Sequence, residues 1–317
     1  MRDTKATGAQ ELVKRRKQVF IVGCGYVGRR LAQQLGRDYN IYGLVRTTMH
    51  VRSLRAVRAE PIVLNLDRLN KHDLSPVWFR DCTLFYFAPP PAEGESDIRL
   101  HHFLNLLETR PHTLIYISTT GVYGNTNGAR VDESTPVNPQ TQRASRRLSA
   151  EHISRIWCTE NGVRRVVLRV PAIYGPGRLP LERLRKGEPV IRAEEAPITN
   201  HIHVDDLVQA CLAAALNPAA RGVYNISDGN SCSMTEYLRL VAQLAELPMP
   251  PEISLQEAQL SFSPEYLSYL DESRCIDNTR MRNDLGVQLH YPDLQQGIAA
   301  SLQEQTAHWR TAKANPK

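Results

Sequence analysis

The chain has 317 residues, 42% of them apolar and 23% charged, a balance that fits a folded globular protein and excludes overall disorder. The formal charge is 39 − 33 = +6, and four basic residues sit together at Lys14, Arg15, Arg16 and Lys17, so the remaining excess is too thin for a nucleic-acid surface. No run of about 18 apolar residues occurs, and residues 1–17 lack the apolar stretch of a secretory signal. The six cysteines form no C-x-x-C pair and match no zinc spacing. These features lead us to expect a cytoplasmic protein that binds no nucleic acid, no membrane and no metal.

Residues 1–17 read as a flexible basic tail. From residue 18 onward, strand and helix patterns alternate. Gln18–Val22 is a short apolar run, followed by the glycine-rich Gly23–Gly28. Tyr26–Leu35 places Val27, Leu31 and Leu35 at helical spacing. Strands are predicted over Asn40–Val45, Pro61–Leu66, Thr83–Phe87, Thr113–Ser118 and Arg165–Val170, with a helix over Ile98–Leu107. Apolar strands alternating with helices predict an α/β fold, a Rossmann-type doubly wound parallel sheet spanning 18–175. A helix at about 205–217, opened by Asp206 as its cap, and a strand at about 222–227 complete that domain. Segments 176–200 and 228–300 are richer in proline, serine and charge and read as a smaller substrate lobe. The stretch 247–266, with Pro248, Pro250, Pro251 and Pro264, reads as a loop or lid. Asp293 is the predicted cap of a last helix near Leu294–Trp309, and 301–317 are assigned to the C-terminal helix and tail.

Gly23-Cys24-Gly25-Tyr26-Val27-Gly28 is a G-x-G-x-x-G that follows a strand and opens a helix, the setting of a dinucleotide site. Gly23 allows the tight turn, Gly25 lets the backbone approach a pyrophosphate, and Gly28 permits close helix–strand packing. The helix start then offers free N–H groups to the phosphates. Cys24 reads as packing. After the second strand, where an acid would hold the ribose hydroxyls of NAD, stand Val45-Arg46-Thr47-Thr48. Arg46 can pair with a 2′-phosphate, with Thr47 and Thr48 adding hydroxyls, so NADP(H) is expected over NAD(H).

Further motifs follow in order: Leu66-Asp67, Ala88-Pro89, Ser118-Thr119-Thr120-Gly121-Val122-Tyr123-Gly124, Leu168 to Gly177 with Pro171 and Tyr174, His201-Ile202-His203-Val204-Asp205-Asp206, and Tyr224 to Gly229. Together they resemble the extended short-chain dehydrogenase/reductase superfamily, the NAD-dependent epimerase/dehydratase group, over roughly residues 18–300. The glycine spacing and Arg46 resemble its atypical, nucleoside-diphosphate-sugar epimerase-like branch. The resemblance implies that Leu66 and Asp67 lie near the adenine and that Ala88, Pro89, Ser118 and Pro171 line the cofactor. It also implies a homodimer paired through helices matching 96–109 and 141–158.

Family chemistry uses a Tyr-x-x-x-Lys pair, which this chain lacks between Gly124 and Arg169. Setting Glu151 at the acid that follows the lysine puts Arg147 at the lysine and Arg143 at the tyrosine. Guanidinium keeps its proton, so Arg143 cannot do a tyrosine's work. One helical turn apart, the two arginines suit an anionic ligand. Thr119 matches the hydroxyl that polarises the substrate. Tyr123 and Tyr174, beside the cofactor motifs, and His201 and His203, on the substrate side, are the candidate replacement acids. Two functions follow. One is an NADP(H)-binding oxidoreductase or epimerase-like enzyme acting on an anionic or nucleotide-linked small molecule. The other is a non-catalytic NADP(H)-binding redox sensor.

Overall fold

A computed structural model describes residues 16–270 and 272–314, so of the tail expected over 1–17, residues 1–15 lie outside the described residues, while Lys17 begins the first strand. Seven strands form one sheet: β1 (Lys17–Val22), β2 (Tyr39–Val45), β3 (Ala59–Val63), β4 (Cys82–Tyr86), β5 (Thr113–Thr119), β6 (Arg164–Val170) and β7 (Gly222–Asn225). Their order is β7-β6-β5-β4-β1-β2-β3, and every neighbouring pair is parallel. This is the doubly wound sheet that the alternating pattern predicts.

Both faces of the sheet are covered, which is why its central strands carry apolar runs such as Val19–Val22 and Leu114–Ile117 rather than an alternating pattern. Ile21 of β1 packs in a core with Leu31 of α1 (Tyr26–Leu35) and with Leu207. Its neighbours Phe20 and Val22 point to the other side, into a core with Phe103 and Trp157. Phe103 lies on α2 (Ile98–Asn105) and Trp157 on α3 (Gln142–Glu160). Helix α4 (Val204–Leu216) brings Leu207 and Cys211 to the first core.

Asp206 does not cap α4. His203 is the cap, its ring accepting the Asp205 N–H at 3.2 Å. Asp206 sits within the first turn, fully buried, and accepts the backbone N–H groups of His290 (2.6 Å) and Tyr291 (3.1 Å). It therefore anchors the chain that leads to the last helix.

A separate core gathers Tyr174, Leu184, Val190, Tyr237 and Ile298, whereas Met281, Leu285 and Val287, expected in the smaller lobe, pack in the core with Ile21. Ala172–Tyr174 pairs in parallel with Ile198–His203, which pairs antiparallel with Ser231–Ser233. Helix α5 (Met234–Leu244) follows with a capping box between Ser233 and Glu236. Asp293 opens α6 (Leu294–Ala314), accepting from Gln295 and Gln296 as the sequence predicts. The proline-rich stretch 247–266 is not a plain loop. Glu252–Ile253 pairs with Val190–Ile191, and helices span Leu255–Ser261 and Pro264–Leu270. Pro264 starts the second helix, where its missing N–H costs no hydrogen bond. No helix among the described residues is long and apolar enough to cross a membrane.

Candidate functional site

In this topology the strand order reverses between β1 and β4, and ligands bind beyond the carboxyl ends of strands at such a point. There the Gly23–Gly28 turn is pinned to β2, because the N–H groups of Gly23 (3.1 Å) and Cys24 (2.9 Å) both donate to the Leu44 carbonyl. Gly23 has φ +82°, and a Cβ there would lie 2.6 Å from the Ala88 nitrogen. At Gly25 a Cβ would meet nothing nearer than 4.0 Å, so this side of the turn is open. Gly25 also caps α1 without a side chain, which leaves the first-turn amides for an outside acceptor. These features fit a dinucleotide pyrophosphate.

Cys24 is buried, its thiol pushed up to about 12 by desolvation, and its sulfur packs where Gly28 and Gly43 have no side chain. Tyr26 and Val27 open α1, and the Tyr26 hydroxyl donates to the Pro176 carbonyl at 3.0 Å. Its ring lies under Arg30 and Arg178 at 5.5 and 4.9 Å. Arg46 and Thr47 stand exposed just past the end of β2. Leu66 is buried, whereas Asp67 is exposed.

A cavity of about 580 Å³ opens beside Thr119 and Val170, at the carboxyl ends of β5 and β6. Among the predicted site residues, Pro89, Ser118, Thr119, Arg143, Arg147 and Pro171 line it together. Arg146, Glu272 and Arg274 also form its wall. Four guanidinium groups thus face one carboxylate, 4 − 1 = +3. Arg143 donates to the Ser268 hydroxyl (2.8 Å) and carbonyl (3.1 Å). Arg146 donates to the Gly94 carbonyl at 2.8 Å, and Arg147 to the Ile117 carbonyl at 2.9 Å and the Tyr116 hydroxyl at 3.2 Å. Arg274 pairs with Glu272 and donates to the Gly124 carbonyl; burial lowers its pKa. The Thr119 hydroxyl accepts the Gly121 N–H at 3.1 Å, which leaves its own proton to donate.

Behind this wall lies a buried network. Glu151 accepts from the Ser118 hydroxyl at 2.6 Å and from two nitrogens of Arg169 at 3.1 and 2.8 Å. Arg169 lies 4.8 Å over the Tyr123 ring, and the Tyr123 hydroxyl donates to Asn225 at 2.8 Å. Tyr123 is therefore tied into the sheet, outside the cavity.

Tyr174, His201 and His203 also lie outside it, each 1% exposed. His201 and His203 are two residues apart on one strand, so both point to the same face, away from the cavity. His201 stacks on Tyr237 at 4.3 Å, and Tyr174 meets His201 and His203 edge-on. Burial lowers both histidines from 6.5 to about 4, and it raises Asp228 to about 7. The unfolded chain takes up the histidine protons at a higher pH than the fold does. Their stabilisation is therefore complete above about 6.5 and is lost as pH falls toward about 4. Asp228 works oppositely, losing its contribution as pH rises toward 7. Two groups against one predict a lower thermal midpoint at pH 4 than at pH 7. Asp228→Asn is expected to steepen that fall, and circular dichroism melts would check both; a higher midpoint at pH 4 would contradict the buried neutral histidines.

The sequence pattern missed Glu272 and Arg274 because they come from a segment some 150 residues beyond Gly124, which Arg274 touches. No local spacing signals such a contact. Arg146 lies within the arginine-rich stretch, but its position in the wall depends on where α3 packs.

Residues 95–227 match the NAD dependent epimerase/dehydratase family. Protein YeeZ of Escherichia coli K12 is 28% identical over 290 residues, covering 87% of this chain and 97% of that protein. A solved structure of a functionally unknown conserved protein from Silicibacter pomeroyi is 27% identical, covers 91% of this chain and 99% of its own, and has a TM-score of 0.75. UDP-glucuronic acid 4-epimerase from Bacillus cereus, solved with UDP-glucuronic acid and NAD, shares the fold at a TM-score of 0.75 and 17% identity, over 92% of this chain and 99% of its own.

Proposed function

We propose that this chain is an oxidoreductase or epimerase-like protein of the extended short-chain dehydrogenase/reductase type that uses NADP(H) on an anionic small molecule. The observation that carries this reading is the cavity beside Thr119, with four arginines and one glutamate in its wall, next to the open glycine turn. When bound, the nicotinamide would supply hydride transfer. Gly25 and the first-turn amides of α1 would hold the pyrophosphate, and Arg46 with Thr47 would hold the 2′-phosphate. Thr119 would donate a hydrogen bond to the substrate oxygen. Arg143, Arg146, Arg147 and Arg274 would orient the substrate's negative charge. Among the described residues of the wall, Glu272 is the side chain that can exchange a proton, since guanidinium keeps its own.

One observation favours the second reading, a binding module without turnover. Arg143 and Arg147, at the positions of the missing pair, are already hydrogen-bonded to the protein. Titration with NADPH and NADH beside Arg46→Ala tests the cofactor. NADPH affinity is expected to fall about tenfold or more in the variant, with NADH unchanged. Equal NADPH affinity would remove Arg46 from the site. NADPH oxidation in a panel of carbonyl compounds and sugar nucleotides then separates enzyme from sensor.

A further inference from the structure

We propose that a second cavity, at the opposite end of the sheet from the glycine turn, binds a free α-amino acid with an apolar side chain. The inference is independent of the dinucleotide reading given above. The cavity measures about 300 Å³ and opens where β1 and β4 begin, beside the last turns of α1 and α4. Val19 and Phe85 line it from the sheet, and Leu35 and Leu212 from the two helices. Leu216 lines it as well and is 59% exposed, apolar surface that a bound side chain would cover. Two opposite charges share this lining. Lys17 is the first residue of β1, and Asp81 immediately precedes β4. Both are exposed, and among the described residues neither is in an ion pair.

The polar neighbours leave that balance unchanged. His112, also in the lining, has Nδ1 2.7 Å from the Thr113 hydroxyl and Nε2 3.4 Å from the Thr83 hydroxyl. Its partial burial and the nearby Arg164 guanidinium lower its pKa, so the ring is neutral near pH 7. Arg164 itself donates to the Ala214 and Ala215 carbonyls at 3.0 Å and to the Asn217 carbonyl at 2.9 Å. Its charge is thus engaged at the carboxyl end of α4, and that wall is fixed before any ligand arrives. The cavity therefore offers one cation, one anion and an apolar surface. A zwitterion answers both charges, whereas an amine or a carboxylic acid answers one and faces the other as a like charge. The ammonium would meet Asp81, the carboxylate Lys17, and the side chain Val19 and Phe85. A nucleotide or sugar phosphate brings no cation for Asp81.

The probe is L-phenylalanine, compared by isothermal titration with 2-phenylethylamine and 3-phenylpropanoate, which keep the ring and one charge each. L-phenylalanine is expected to bind with a Kd below about 1 mM, and each comparator about tenfold or more weakly, as for one lost charged hydrogen bond. Asp81 has φ +53°, a backbone that asparagine also adopts, so Asp81→Asn removes the charge without straining the turn. That variant is expected to bind L-phenylalanine and 3-phenylpropanoate within about twofold of each other. Lys17→Gln is expected to do the same for L-phenylalanine and 2-phenylethylamine. Thermal midpoints of both variants should stay close to wild type, since both side chains are exposed. Equal affinity of the wild type for all three compounds, or no binding of L-phenylalanine up to about 10 mM, overturns the proposal. So does an undiminished preference in either variant, the result that binding elsewhere on the protein would give.

Discussion

Arg169→Met is expected to lower the free energy of unfolding by about 3–5 kcal/mol, because it strands a buried carboxylate. Arg169 and Glu151 have side chains only 7% and 5% exposed. In the variant, Glu151 would keep the Ser118 hydroxyl and lose both guanidinium bonds. Replacing both partners at once, Glu151→Gln with Arg169→Met, is expected to recover most of the loss, since a buried neutral amide is far cheaper than a lone charge. Urea denaturation of the two single variants and the double variant measures the coupling. A single variant within about 1 kcal/mol of wild type would mean that water reaches Glu151 and that the pair holds nothing. The effect is functional as well as structural. Ser118 sits in the cavity wall next to Thr119, so the pair fixes the end of β5, where a substrate oxygen would lie.

Gly23→Ala is expected to damage the cofactor turn and the cavity wall together. The residue has φ +82°, which costs an alanine about 1–2 kcal/mol. Its Cβ would also lie 2.6 Å from the Ala88 nitrogen and 2.8 Å from the Ala88 Cα, both backbone atoms with no rotamer to escape into. Overpacking of that kind costs about 1–3 kcal/mol more. To relieve it, the end of β4 must move away from the turn, taking with it Pro89, which lines the cavity. Dinucleotide affinity is expected to fall at least about tenfold, since the turn's N–H groups lose their aim. Gly25→Ala is the comparison. No atom comes nearer than 4.0 Å to a Cβ there, so its stability should change little while affinity falls. Isothermal titration of both variants, with melts, would check this. Unchanged affinity in Gly25→Ala would mean that no phosphate approaches that face.

Local patterns in the sequence were enough for the sheet and the turn. Periodicity is a property of neighbours a few residues apart, and the apolar runs of β1, β4 and β5 are legible because burial on both faces favours apolar side chains at successive positions. The glycines at 23 and 28 are legible for a related reason: Gly23 needs a left-handed backbone, and Gly28 packs tightly against Ile21 and Cys24. The absence of a Tyr-x-x-x-Lys between Gly124 and Arg169 is likewise legible from neighbouring residues alone.

The tertiary structure decided which groups share the cavity. It brings Glu272 and Arg274 to Thr119 from the far end of the chain, and it turns His201 and His203 toward the core that holds Tyr174 and Tyr237, where desolvation keeps them neutral. It moves Asp206 from a helix cap to a buried anchor for residues 290 and 291. It also joins Asp67 to Pro89 through Arg99. A motif records spacing along the chain, whereas pairing and burial depend on which surfaces pack, and that is settled only when the whole core closes.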